Sequence, residues 1–458
     1  MTKIPNFTTS AASPGAGQNP NDQVPKSQIN PNNQIPNPKQ PTNTLGNWSL
    51  FIGILLGFGN LVIWISTSTA QDHSNASNPT NTTLRLLHTH HYDIHTDIDQ
   101  PLADDLAARM DVMYDQYGKT LSDFKLTNNP PPLAVYLFQT HAKYMAFTDY
   151  AGTNTGGLFV AGRRSYLAAY EQGQGRDSLR RTLQHEAFHQ FAHAAISHHL
   201  PRWMNEGIAQ LFEESIWIGK DFLTDQIPPR RLRQLHADII QKRLVDFDQF
   251  MALSPSDWRT VLHTNRDKAN LYYNQAWVMA CFCSAAGDPA YRSAFNQLLH
   301  KLHDNQIDPD TATHQCFPDL KDMRKKFNAW AAKLTPSPQA ALQERQDTLA
   351  DFLQAVTQKN HPAPADLATF RNTIVRYNMK IQYTRNNITY TTAESPLIYF
   401  SNLDGKVFTP AELYFQANPD AALPDIVCQP AGDTYRYRTH FYNSTEHEQL
   451  IETTNDER

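Results

Sequence analysis

The run His-Glu-Ala-Phe-His at residues 185–189 is the part of this 458-residue chain best suited to chemistry. On a helix, positions i and i+4 share a face, so His185 and His189 aim their imidazoles at one point. Zinc accepts such nitrogens at about 2.0–2.1 Å. Glu186 flanks that face, where a carboxylate takes a proton from a water on the metal without itself becoming a ligand. A catalytic zinc also needs a third protein ligand and an open position. A third histidine six residues after the second would be one solution, but Ala195 stands there. His193 follows His189 by four; a fourth protein ligand would close the site, so a supporting or surface role is expected for it.

Downstream, residues 201–214 read PRWMNEGIAQLFEE. With HEAFH, this run resembles the gluzincin zinc metallopeptidases, in which an Asn-Glu pair on the helix after the HExxH helix supplies the third ligand. Within that group it resembles the peptidase MA-like bacterial family of unknown function, whose second helix reads P-R-W-x-x-E-G-x-A; Pro201, Arg202, Trp203, Glu206, Gly207 and Ala209 carry the match. The resemblance implies that Glu206 is the third zinc ligand, that the domain is a thermolysin-like zincin, and that the activity is zinc-dependent hydrolysis of a peptide or protein substrate. A short turn between the two helices lets them pack antiparallel and bring Glu206 to the metal. Aminopeptidases of the clan carry a tyrosine that stabilises the tetrahedral oxyanion. In LYYNQAW, Tyr273 stands at that position, with Tyr272 beside it. A phenol donates to developing negative charge while staying neutral at pH 7; the alternative reading is a core aromatic. The likeness spans roughly residues 84–333 and makes Gly157–Val160 a candidate edge strand for an extended peptide. Two departures stand out. Gln210 occupies the position where thermolysin-type enzymes use Asp to orient a histidine, and no Gly-Ala-Met-Glu-Asn-type segment anchors a substrate N-terminus, which argues against exopeptidase specificity. The alternative function is a non-catalytic zinc-binding cell-surface or interaction protein that keeps the fold as a scaffold; Glu186 discriminates, since a scaffold needs ligands but no base.

The remaining polar residues offer less. Forty Lys plus Arg against forty-five Asp plus Glu, a formal charge of -5 without long runs, gives no nucleic-acid footprint. Cys281, Cys283, Cys316 and Cys428 lack CxxC spacing, so they are free thiols or form one or two disulfides; Cys316 is the better partner for either of the first two. His88, His90, His91 and His95 are expected along a half-exposed strand, and His198 and His199 at a helix C-terminus.

The elements that must position the site read as α+β. Leu84–Asp97 alternates like one strand, Leu102–Tyr117 has helical spacing, Leu133–Phe138 reads as a buried strand, and Gly156–Tyr170 as two strands joined near Gly162. Helices are expected over Asp177–Ser197, from Pro201, and near Arg231–Arg243, Asn270–Ala286, Tyr291–His303 and Leu320–Lys333. Residues 1–45 lack the apolar side chains to offset chain entropy and read as a disordered tail. Residues 46–70 are expected to be a transmembrane anchor, crossing the membrane through 48–65, or a signal segment cleaved after Ser68 and Ala70. Lys3, Lys26 and Lys39 before that segment place the catalytic domain outside the cytoplasm, single-pass at the cell membrane or secreted. The rest divides into a linker (71–82), the zinc peptidase domain (83–335), a linker with a helix (336–366) and a small strand-rich C-terminal domain (367–458).

Overall fold

The computed structural model describes residues 84–454 apart from 125–129, 152–154, 163, 287, 305–306, 359–362, 381, 386–387, 392–394 and 444–445. All described residues belong to one unit, 47–458. The expected tail, the apolar segment 46–70 and the linker 71–82 lie outside the described residues. The expectation of a membrane anchor is corrected: among the described residues no helix is long and apolar enough to cross a membrane. The two longest, 21 residues each, have the length but carry charged residues throughout. The single-pass, membrane-bound placement is withdrawn with it.

The molecule is mixed helix and sheet. Strands β1 (Arg85–His88) and β2 (Tyr92–Thr96) form an antiparallel hairpin where one strand was expected. The alternation is broken by a turn that α1 (Gln100–Thr120) holds in place: the Asp111 carboxylate accepts from the Thr89 hydroxyl and from the His90 and His91 amides at 2.7, 2.9 and 3.0 Å. Strand β3 (Leu133–Phe138) follows, then α2 (His141–Phe147), β4 (Gly157–Val160) and β5 (Tyr166–Tyr170). The sheet order is β1-β2-β3-β5-β4, so β4, antiparallel to β5, is an edge.

Helices α3 (Arg176–Ala195) and α4 (Arg202–Glu213) carry the motifs. After them come the hairpin β6 (Ile216–Trp217) and β7 (Phe222–Leu223), and helices α5 (Pro229–Ile240), α6 (Phe247–Met251), α7 (Pro255–Thr264) and α8 (Arg266–Cys281), the last continuing as a π-turn over Phe282–Ala286. Helices α9 (Pro289–His303), α10 (Pro309–Cys316) and α11 (Leu320–Ala331) complete this part. Its core is aromatic, with Tyr117, Phe188, Trp203, Trp258 and Trp277 buried.

Two glycines set the close approaches. A Cβ on Gly207 would meet the Ala276 carbonyl at 2.5 Å, so only glycine lets α4 lie this tightly on α8. A Cβ on Gly157 would meet the Thr182 methyl at 2.7 Å, where β4 crosses α3.

A second core forms around α12 (Pro338–Gln358), whose Leu349, Phe352 and Leu353 are buried with Ile426, Tyr437 and Ile216 of β6. The helix expected inside a linker is thus a central core element. The following region opens with a helix, α13 (Leu367–Arg376), before the hairpin β8 (Gln382–Arg385) and β9 (Ile388–Thr391), a 3₁₀ turn (Pro396–Phe400) and the meander β10 (Leu413–Gln416), β11 (Asp425–Cys428), β12 (Tyr435–Phe441) and β13 (His447–Thr453). All four cysteines are free thiols.

Candidate metal centre

Helix α3 brings His185 and His189 together with ring centroids 4.8 Å apart, and α4 sets Glu206 opposite them. The Glu206 Oε2 atom lies 3.4 Å from His185 Nε2 and 3.6 Å from His189 Nε2. All three side chains are fully buried, and each of these three atoms lacks a hydrogen-bond partner. Leaving buried polar atoms unmet costs about 1–3 kcal/mol each, so a convergent trio calls for something that satisfies them together. Ligand atoms about 2.0–2.2 Å from a tetrahedral ion stand about 3.3–3.6 Å apart, the separations found here. Among the described residues, this is the group of His, Cys, Asp and Glu side chains able to hold a metal ion.

The other face of each ligand is anchored. His185 Nδ1 lies 3.0 Å from the Glu213 carboxylate, and His189 Nδ1 lies 3.0 Å from the Asn205 side-chain oxygen. Both partners are acceptors, so each Nδ1 carries a proton and Nε2 is the nitrogen turned to the centre. Arg202 Nη1 donates to Glu206 Oε1 at 3.5 Å, which leaves Oε2 facing the histidines. Burial disfavours charge on His185, yet Glu206 and Glu213 carry it up to about 10. Burial holds His189 below its ordinary value. Glu206 resists burial, because His189 and His185 hold its carboxyl well below the usual range. The Glu206 carboxylate is thus held charged between the two histidines.

Glu186 sits beside the trio, fully buried, with Oε2 accepting the Phe159 amide of β4 at 2.9 Å and Oε1 without a partner. Burial pushes it up to about 8, with Glu206 adding to the effect. Tyr273 is buried on α8, its ring 6.4 Å from the His185 ring and edge-on to it. Tyr272 packs against Phe250 and Trp258 at 5.5 and 5.2 Å.

Among the described residues, the other histidines do not join the cluster. His193 turns to His198, Nδ1 to Nδ1 at 3.0 Å, and burial with His198 and His199 lowers it to about 4. His88 pairs with Asp93 at 2.7 Å, His91 with Asp115 at 3.0 Å, and His95 stacks on Tyr136.

Three supporting groups escape the sequence reading. Glu213 orients His185 from seven residues beyond Glu206, two helical turns along the same face; that spacing is the signal that could have found it. Gln210, noted only as a departure from Asp, donates to Glu213 Oε2 at 2.7 Å and so supports the orienting carboxylate. The Phe159 amide that holds Glu186 is backbone and leaves no trace in residue types. No family model matches the chain, and no curated protein matches it.

Proposed function

We propose that the chain is a zinc-dependent peptidase of thermolysin-like organisation acting on peptide or protein substrates. His185, His189 and Glu206 are the zinc ligands, Glu186 is the general base and Tyr273 is the oxyanion donor. One observation carries the reading: three buried, unpartnered donor atoms of the types zinc prefers converge beside a carboxylate with one unused oxygen. Bound there, zinc supplies a Lewis acid that lowers the pKa of water and polarises a carbonyl. Glu186 takes a proton from the attacking water at Oε1 and returns it to the leaving amine. Its Oε2 stays on the Phe159 amide, which keeps the carboxylate aimed. The Tyr273 hydroxyl donates to the oxygen on which negative charge develops. An extended substrate lies along the free edge of β4.

A second reading, a metal-holding scaffold without turnover, draws on the complete burial of His185, Glu186, His189 and Glu206, which a peptide reaches only after local opening. Metal analysis of the full chain with a peptide-library assay separates the two. The expected result is one zinc per chain, lost on His185→Ala, His189→Ala or Glu206→Ala and kept on His193→Ala, with cleavage of library peptides. Full zinc in Glu206→Ala would sink the ligand assignment. Zinc without cleavage of any peptide leaves the scaffold.

A further inference from the structure

The orienting carboxylate of Glu213 lies in an unfavourable place. It is the last residue of α4, and Glu214 caps the helix, so two buried acids meet the negative end of the helix dipole. Arginines from two other helices compensate. Glu214 accepts from Arg181 of α3 at 3.0 Å and from both Arg230 and Arg231 of α5. Arg231 also donates to the Gln210 side-chain oxygen and lies 3.7 Å from Glu213 Oε1. Gln210, held in this way, donates to Glu213 Oε2, the oxygen that meets His185 Nδ1. Every group from α5 to the first ligand is thus hydrogen-bonded to the next.

The first turn of α5 depends on α12. Its N-cap is Pro228, which gives no side-chain cap; Pro229 has no N–H and the Arg231 amide donates to the Pro228 carbonyl, so the Arg230 amide is the one that needs an acceptor from elsewhere. Glu344 of α12 supplies one: its Oε2 accepts the Arg230 amide at 2.9 Å, while Oε1 pairs with Arg233 at 2.6 Å. A carboxylate at a helix N-terminus is also favoured by the dipole. The entry to α5 is tied to the same helix, since Ile227 and Ser337 exchange two hydrogen bonds of 3.0 Å, amide to carbonyl and amide to hydroxyl.

We propose that the C-terminal region is part of the metal centre: Glu344 caps α5, and α5 in turn holds Glu213 against His185. Glu344 and Arg231 are positioning residues that act on the metal through Glu213. The inference rests on the three-ligand metal reading and adds to it a function for the region after residue 336. Plain packing of α12 on α5 would stabilise the protein without touching the metal, and that difference is measurable.

The experiment is zinc affinity of the full chain by competition with a chromophoric chelator, with a thermal melt of each variant to establish folding. Glu213→Ala should weaken zinc by about 10- to 100-fold, the range for carboxylates behind a ligating histidine. Glu344→Ala should weaken it by about 2- to 30-fold, the range of coupling across packed networks. Glu344→Gln, whose amide oxygen still accepts from Arg230, should lose less, and Arg233→Ala, which leaves the cap in place, should lose nothing. Added to Glu213→Ala, Glu344→Ala should cause no further loss, because the linking group is gone. Where Glu344→Ala does not fold, Glu344→Asp, one methylene too short to reach the amide, gives the same comparison. Undiminished zinc affinity in Glu344→Ala, or equal losses with and without Glu213, overturns the proposal alone. A wild-type chain that binds no zinc takes down the metal reading and this proposal with it.

Discussion

At the scale of single residues, the proposed base Glu186 and oxyanion donor Tyr273 let the proposed chemistry be tested apart from metal binding. Glu186 touches no ligand through a hydrogen bond; its contact is the Phe159 amide, and its second oxygen is unused. Glu186→Gln therefore keeps shape and zinc while removing the base, and turnover of any peptide the wild type cleaves should fall by about 10²-fold or more. Unchanged turnover would remove Glu186 from the mechanism. Tyr273→Phe deletes one hydroxyl, and kcat should fall by about 10²- to 10³-fold with little change in KM if the contact forms only in the transition state. Tyr272→Phe is the internal control, because its ring packs on Phe250 and Trp258 whereas the Tyr273 ring meets His185. A loss confined to Tyr272→Phe would transfer the role to the neighbouring phenol. Spacing makes the pairing of His185 and His189 legible at this scale, since four residues on a helix fix a shared face. The groups that orient them are less so: Glu213 and Asn205 become partners of the histidines only once α3 and α4 are packed.

At the scale of elements, the site is the product of two close approaches, α4 on α8 and β4 on α3, each made at a glycine. Gly207 follows Glu206 directly, and its Cβ position is filled by the Ala276 carbonyl and the Ala280 methyl, at 2.5 and 2.9 Å. Backbone cannot yield as a flexible side chain does, so Gly207→Ala should push α4 off α8 and cost about 1–3 kcal/mol of stability. The displacement carries Glu206 with it, so zinc should weaken as well. A melting temperature and a zinc affinity both equal to wild type would show that this contact does not set the ligand. Helix α3, strand β3 and the strand pair β4 and β5 are legible in the sequence, because periodicity survives in elements buried on known faces. The hairpin at 85–96 is not, since the turn that breaks its alternation is held by bonds between Thr89 and Tyr92 and by the distant Asp111. The core position of α12 escapes for the same reason: prolines on either side read as a linker, and the partners that bury Phe352 and Leu353 lie far away in the chain.

At the scale of the whole molecule, α12 and β13 meet the start of the metal helix in a cluster of charges. Arg180 of α3 pairs with Glu448 of β13 at 2.5 Å, and with Asp105 and Asp177 at 2.8 and 2.9 Å. Asp177 also accepts the Gln449 amide at 3.1 Å, and His447 lies 3.5 Å from Asp347. Two members are shifted upward by folding. Burial, with Asp347 adding to it, pushes Asp351 up to about 7, although His447 pulls the other way. Burial works against charge on His447, but Asp347 and Asp351 hold it above its ordinary value. Both groups bind protons more tightly folded than unfolded, so both contributions are complete at low pH and fade as pH rises. For Asp351 the loss begins above its unfolded value, near pH 4, and is progressive through about 7; for His447 it begins above about 6.5. Between pH 5 and 8 this junction should weaken by about 1–4 kcal/mol, a shift of a few degrees in Tm. Carboxylates elsewhere, Glu214 among them, titrate at acid pH and oppose the trend there, so the useful quantity is a difference between two proteins. Asp351→Asn removes one titrating group at nearly constant shape. Its Tm should gain on wild type as pH rises from 5 to 8, and a gap that stays constant over that range would show that Asp351 does not govern the junction.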